Sequence, residues 1–233
     1  FWVTAPPHID TLYAIAATHA VMGHEDDAYE WLEKTLDAGF WDFRKLRTDD
    51  DFAAIRDQDR FVKLWRGAWS KQYIAMLERD EREDFQQPVR VMETLAFRPG
   101  ERVADVGAGS GYFTVRVARA VGPEGSVVAT DIRQEMIAHL QNRLEQEGIV
   151  NVRTVLAEKD DPGLPAGSVD TILMVDVWHY IRAPEFAVRL RPALAPGGRV
   201  VVIDYRPRPW DERPWGPPPE QQTPRDELDA HMA

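Results

Sequence analysis

The chain has no cysteine. Disulfides and thiolate metal sites are therefore excluded, and a cytoplasmic location is the expectation that goes with the absence. No apolar run approaches the length needed to cross a bilayer, so no membrane partner is expected. No secretory signal opens the sequence, and Phe1 is not an initiator residue, which predicts that the numbering begins inside a longer chain. Positive charge is scarce as well: 28 Lys and Arg stand against 39 Asp and Glu, a formal charge of −11. Nonspecific nucleic-acid binding needs clustered cations and is disfavoured. The one basic cluster, Arg206, Arg208 and Arg213, alternates with prolines and acids and reads as solvated loop charge. The histidines His8, His19, His24, His139 and His231 are scattered, and no His/Asp/Glu group has metal-ligand spacing. What is present, 44% hydrophobic and 29% charged residues over 233 positions, suits a globular protein with one ordinary domain and a smaller one.

The segment from Arg102 to Thr114 holds the densest information. Val103, Ala104 and Val106 are residues that a sheet interior favours. Gly107, Gly109 and Gly111 then allow a sharp turn and close approach of a ligand, and from Tyr112 the apolar spacing (Phe113, Val117, Val121) becomes helical. Ser110 lies inside this turn, without the flanking pattern of a nucleophile elbow. Dinucleotide sites use G-x-G-x-x-G, with a pyrophosphate facing the helix N-terminus. Here the spacing is G-x-G-x-G, with Asp105 two residues ahead of it. An acid there would repel phosphates and suits a zwitterionic amino-acid ligand. The loop resembles the first motif, (D/E)-x-G-x-G-x-G, of class I S-adenosylmethionine-dependent methyltransferases, through Asp105, Gly107, Gly109 and Gly111.

The order of later features matches that family too. Ser126–Asp131 reads as a second strand ending in an acid, which can accept from ribose hydroxyls or cap the following helix. A helix over 134–147 stops at Gly148, and strands follow at 152–156, 170–175 and 199–204, the last after a Leu194-Ala-Pro-Gly-Gly198 turn. The fold class predicted is α/β, a Rossmann-like parallel sheet with helices on both faces, preceded by a small all-α region. The resemblance spans roughly 88–205 and lies nearest the small-molecule methyltransferases of the ubiquinone-biosynthesis type. It implies S-adenosylmethionine as cofactor, with Asp105, Gly107, Ala108, Gly109 and Gly111 around its methionine part. It also implies Asp131 and Ile132 at the ribose, and Asp176 near the methionine. Among Glu158, Lys159 and Asp160 it leaves open which side chain bonds adenine, with Leu164-Pro165 flanking.

Methyl transfer asks a protein mainly for alignment and exclusion of water, plus a base where the acceptor must lose a proton. His179, just past the fourth strand, is the candidate base, with the alternative of a histidine satisfied by loop backbone. Trp178 and Tyr180 could stack on a substrate or simply pack. Phe85 and Gln86, by the resemblance, are candidates to line the cleft.

Outside that region the texture changes. Helices are predicted over 10–22 and 25–38, stopped by Gly23 and Gly39. Ala16, Gly23, Ala28, Leu32 and Leu36 fall where a tetratricopeptide repeat places its packing residues, and one such unit is not a solenoid. Asp49–Asp51 reads as helix capping. Asp59 begins a helix whose Phe61, Leu64, Trp65 and Trp69 are expected to pack between domains, and 71–83 reads as a polar surface helix. Pro88 starts the helix before the first strand. The organisation expected is a helical region over 1–83, the sheet domain over 84–205 and a proline-rich end over 206–233, with a capped helix start at Thr223–Asp226. The last two strands of the family have no sequence left to form them, so a fragment with strand five as an open edge is the expectation. Three functions follow: methyl transfer to a small-molecule acceptor, a module that binds or methylates a protein partner through the helical region, and a nicotinamide-dependent oxidoreductase, which the glycine spacing disfavours.

Overall fold

The computed structural model describes residues 7–209, 211–212 and 216–232; Phe1 and Arg213, named above, lie outside them. The chain divides into two compact units, Phe1–Met76 and Leu77–Ala233. No helix among the described residues is long and apolar enough to cross a membrane.

The first unit is helical. Helices α1 (Pro7–Val21) and α2 (Glu25–Asp37) are joined by a turn at Gly23, whose φ of +76° is cheap only for glycine. Ile9, Tyr13, Ala16, Ala17 and Ala20 of α1 meet Ala28, Tyr29, Leu32 and Leu36 of α2 in one buried core. Asp42 caps α3 (Phe43–Thr48) by accepting from Lys45 N, and Asp49 caps the following 3-10 turn by accepting from Asp51 N. Phe61, Leu64 and Trp65 of α4 (Asp59–Leu77) join this same core. Trp69 stacks on Tyr73 one turn away, with ring centroids 4.8 Å apart. The turn also gathers His19, His24 and Asp27, with ligand atoms within 4.8 Å of one another, so these histidines are less scattered than their sequence positions imply. His24 and Asp27 are exposed, and His19 Nδ1 lies 3.6 Å from Asp27 Oδ2.

The second unit begins with α5 (Arg82–Gln86) and α6 (Pro88–Leu95), the latter with proline in its first turn. Strand β1 (Arg102–Val106) follows, then α7 (Thr114–Val121), β2 (Ser126–Asp131), α8 (Gln134–Gln146), β3 (Val152–Leu156) and β4 (Val169–Val175). After β4 come α9 (Trp178–Ile181), α10 (Pro184–Leu190), β5 (Leu194–Ile203) and α11 (Arg225–Met232). The sheet is parallel throughout, in the order β3-β2-β1-β4-β5, as the alternation of strand and helix predicts. Successive strand residues point to opposite faces. Val103, Val127, Leu173 and Val175 pack on Leu95, Phe113, Val117 and Val121 of α6 and α7 and the loop between. Ala104, Val106, Ile172 and Met174 pack on Trp178, Phe186, Ala187 and Leu190 of α9 and α10. Both faces are thus covered, which is why β1 and β4 read as near-continuous apolar runs.

Two stretches differ from expectation. The 194–198 turn is incorporated into β5, where Gly197 takes φ +79° and the pairing with β4 shifts register between Val169 and Thr171. The proline-rich end does not wander: Gln222 Oε1 accepts from Arg208 N at 2.7 Å, Arg182 pairs with Glu227 at 2.7 Å, and Leu228 and Met232 join the Trp178 cluster. Arg206 and Arg208 are exposed, as solvated loop charges should be.

Gly111 shows how tightly the unit is built. It is buried with φ +82°, and an added Cβ would collide with Leu140 Cδ1 of α8. Gly111→Ala is expected to lower unfolding free energy by about 1–3 kcal/mol, through overpacking and backbone strain together. Urea denaturation measures this, and an unchanged midpoint would contradict the packing argument.

Candidate active site

The site forms where β1 and β2 end. Gly107 N and Ala108 N both donate to Thr130 O, at 2.8 and 2.9 Å, so the glycine loop is bonded to the last turn of β2. Asp131 closes the same connection from the other side: Oδ2 accepts from Gly109 N and Oδ1 from Arg133 N, both at 2.9 Å. Its two expected roles are therefore compatible, because each oxygen keeps a second lone pair after bonding the backbone. Asp105 is 3% exposed, and its Oδ2 accepts from Thr114 Oγ1 at 2.6 Å. Burial pushes its carboxyl up to about 6, and the Thr114 bond only partly opposes that.

The loop glycines divide by neighbour. A Cβ on Gly107 would strike the Val177 side chain just past β4, and one on Gly109 would come within 3.2 Å of Leu77 Cδ1. Gly111 abuts α8. The close approach of the Val177 and Leu77 side chains brings two other segments of this unit against the loop.

The first is the strap from Leu77 to Gln87. Glu78 pairs with His139 at 2.9 Å and Arg143 at 3.3 Å of α8, while Glu83 accepts from Tyr112 Oη at 2.6 Å and pairs with Arg116 of α7. Between these pins Arg82 and Gln86 turn inward, each 8% exposed. Arg82 Nη1 donates to Leu77 O at 2.8 Å, and its guanidinium carbon lies 4.0 Å from the Tyr112 ring centroid. The expected polar surface helix over 71–83 is corrected here: α4 ends at Leu77, and Arg82 is buried. No sequence signal marks it, since an arginine in a charged run looks like any solvated one. Phe85 is half-buried, with the Arg79 guanidinium 5.3 Å from its ring.

The second segment follows β4. Asp176 has φ +56°, a left-handed backbone that asparagine and aspartate tolerate best, and its N donates to Ile203 O of β5. Burial, and then the neighbouring Asp204, push its carboxyl up to about 6, while Arg82, His179 and a Gln86 hydrogen bond pull the other way. His179 is clamped to Asp204 twice, its N donating to Oδ2 at 2.9 Å and its Nδ1 lying 2.8 Å from Oδ1. No described residue bonds its Nε2. The Tyr180 ring sits 4.0 Å from the imidazole and is itself exposed. Trp178 is fully buried in the core, so of its two expected roles it takes packing.

Glu158, Lys159 and Asp160 are all exposed beyond β3, where Glu158 pairs with Asp161 through backbone and Arg189 Nη1 donates to Asp160 O. Ile132 is 57% exposed beside Asp131. Asp105, Gly107, Gly109 and Asp131 therefore stand together, with Asp176 and His179 beyond the adjacent strand end. Asp204, Arg82 and Thr114 were not singled out by sequence.

Residues 103–198 match the family model described as "Methyltransferase domain". A relative in Ectopseudomonas mendocina, a ubiquinone/menaquinone biosynthesis C-methyltransferase UbiE, is 33% identical over 116 residues, which are 49% of this chain and 45% of that protein. The protein of the same name in Vibrio campbellii is 34% identical over 110 residues, 46% of this chain and 42% of its own. This chain thus spans under half the length of these relatives. A solved S-adenosylmethionine-dependent methyltransferase from Aquifex aeolicus superposes with a TM-score of 0.64 at 26% identity, over 69% of this chain and 85% of that one.

The matched residues 103–198 and the shared fold make the second unit similar to S-adenosylmethionine-dependent methyltransferases. The side chains present fit that cofactor. Two buried carboxylates held at unusually high pKa are an environment that a sulfonium and an ammonium group relieve, and a pyrophosphate would aggravate it. Nothing in the comparisons supports an oxidoreductase.

The same burial makes an observable on the protein alone. Asp105 and Asp176 bind protons more tightly folded than unfolded, so their favourable contribution is complete at low pH and is lost as pH rises toward and through about 6. Asp105→Asn keeps an acceptor for Thr114 and removes the buried charge. It is expected to be more stable than wild type by about 3 kcal/mol at pH 7, with the difference vanishing below about pH 3. Chemical denaturation across pH measures it, and equal stability at pH 7 would contradict the burial argument.

Proposed function

We propose that this protein transfers the methyl group of S-adenosylmethionine to a small-molecule acceptor whose methylated atom must shed a proton. The observation that carries the second half of this reading is the His179–Asp204 pair. A histidine fixed at Nδ1 and at its backbone N presents Nε2 in one orientation, as a base that must meet a substrate requires. Acceptors that are already nucleophilic without proton loss would need no such pair.

In this reading Asp131 accepts from the ribose hydroxyls, with Ile132 beside it, and Ala108 and Gly109 follow the methionine chain. Asp105 and Asp176 offset the cationic half, and Glu158 or Asp160 meets the adenine amino group. The cofactor supplies an electrophilic methyl carbon on a sulfonium. His179 Nε2 would take the proton that the acceptor sheds. The chain's own work is to align the acceptor and exclude water. An activated carbon acid or a hydroxyl satisfies the chemistry, and a carbon acceptor is the one that the UbiE relatives' name states for those proteins.

Calorimetry with S-adenosylmethionine and S-adenosylhomocysteine is the direct test. Asp131→Ala is expected to weaken binding about 10- to 100-fold, the loss of one or two charge-assisted hydrogen bonds. Screening metabolite pools with methyl-labelled cofactor then identifies the acceptor. With it in hand, Asp204→Asn should reduce kcat by about tenfold or more. A folded wild-type chain that binds neither ligand sinks the proposal.

A further inference from the structure

The turn between α1 and α2 brings two imidazoles and a carboxylate to one place. On an unbroken helix His19 and His24 would lie about 140° apart around the axis. Gly23, at φ +76°, interrupts the helix between them, and His24 N donates to His19 O at 2.9 Å, so the chain folds back on itself. The two rings come to 5.8 Å between centroids. His24 takes the N-cap position of α2, where Ser, Thr, Asp or Asn would serve the helix, and its side chain makes no capping bond. Of the acids that open α2, Glu25 accepts from Gln58 and Asp26 pairs with Arg60, while Asp27 faces His19. His19 Nδ1 lies 3.6 Å from Asp27 Oδ2, too far for a hydrogen bond. That nitrogen is withdrawn from water and has no hydrogen-bond partner among the described residues. A buried polar atom left unpaired costs free energy that a bond to a ligand recovers.

We propose that His19, His24 and Asp27 bind one divalent transition-metal ion of the zinc class, which staples the last turn of α1 to the first turn of α2. One ligand atom from each residue already lies within 4.8 Å of the others. Bonds of about 2.0–2.1 Å in a tetrahedral shell set neighbouring ligand atoms about 3.4 Å apart. The His19–Asp27 pair stands near that spacing, and the exposed side chains of His24 and Asp27 close the rest by rotation. Two imidazole nitrogens with one carboxylate select zinc, cobalt, nickel or copper over magnesium and calcium, which take oxygen ligands. Water completes the shell on the open side. The site lies in the helical unit and stands independently of the methyl-transfer reading.

Calorimetry with zinc chloride on the untagged full chain, in an excess of magnesium chloride, is expected to show one zinc bound at this turn. His24→Gln and Asp27→Asn, at exposed positions that the helical core does not use, should each weaken that binding by at least about tenfold, the lower bound for losing even an outer partner of a metal ligand. Nuclear magnetic resonance of the histidine rings locates the ion in the wild-type chain. Zinc should shift or broaden the ring signals of His19 and His24 and leave those of His139 and His179 in place. Should either variant fail to fold, the wild-type spectrum decides by itself. A wild-type chain that takes up no zinc overturns the proposal, and a turn in which His19 and Asp27 form only an ion pair gives that result. Undiminished zinc binding in either folded variant, or ring shifts confined to His139 or His179, overturns it equally.

Discussion

Two carboxylates that the fold withdraws from water, Asp105 and Asp176, set the terms for the architecture around them. Each sits at or just past the carboxyl end of a central strand, where a parallel sheet places its ligands. Neither is fully compensated inside the protein. Thr114 gives Asp105 one hydroxyl, Gln86 gives Asp176 one bond, and Arg82 lends both a positive charge. A core optimised only for stability would place apolar residues here, since a buried charge without a full set of partners costs more than it returns. In the proposed function, the cofactor's cationic half would supply what these two carboxylates lack.

Much of this was legible in the sequence, for identifiable reasons. Strands buried on both faces leave unbroken apolar runs, so 103–106 and 170–175 could be read directly. The glycines could be read as a turn between β1 and α7, which the structure shows. Asp131 was legible as the acid that ends β2, and its bond to Gly109 N was not. The TM-score of 0.64 to the Aquifex aeolicus methyltransferase agrees with the fold these features predict.

What was not legible depended on contacts between residues far apart in the chain. Arg82 lies in a run of charges in which nothing distinguishes the inward one from its solvated neighbours. Asp204 could be seen to end a strand, but its pairing with His179 requires that β5 lie beside β4 with Val175 opposite Ile203. Gly111 looked like its two companions until α8 was in place. The aromatics of α4 offered an apolar face without saying which core it completes. The docking of α11 was equally hidden, because the prolines before it say where a helix cannot be and nothing about what holds the next one.

The strap has two kinds of attachment. Its outward pins, Glu78 and Glu83 to the helices of the sheet unit, are partly exposed ion pairs, which dissolved salt screens. Its inward side chains, Arg82 and Gln86, are shielded. Raising ionic strength therefore weakens the outer ion pairs before it reaches the buried side chains. In the proposed function, a cofactor bound beneath the strap would therefore have a residence time that falls with added salt.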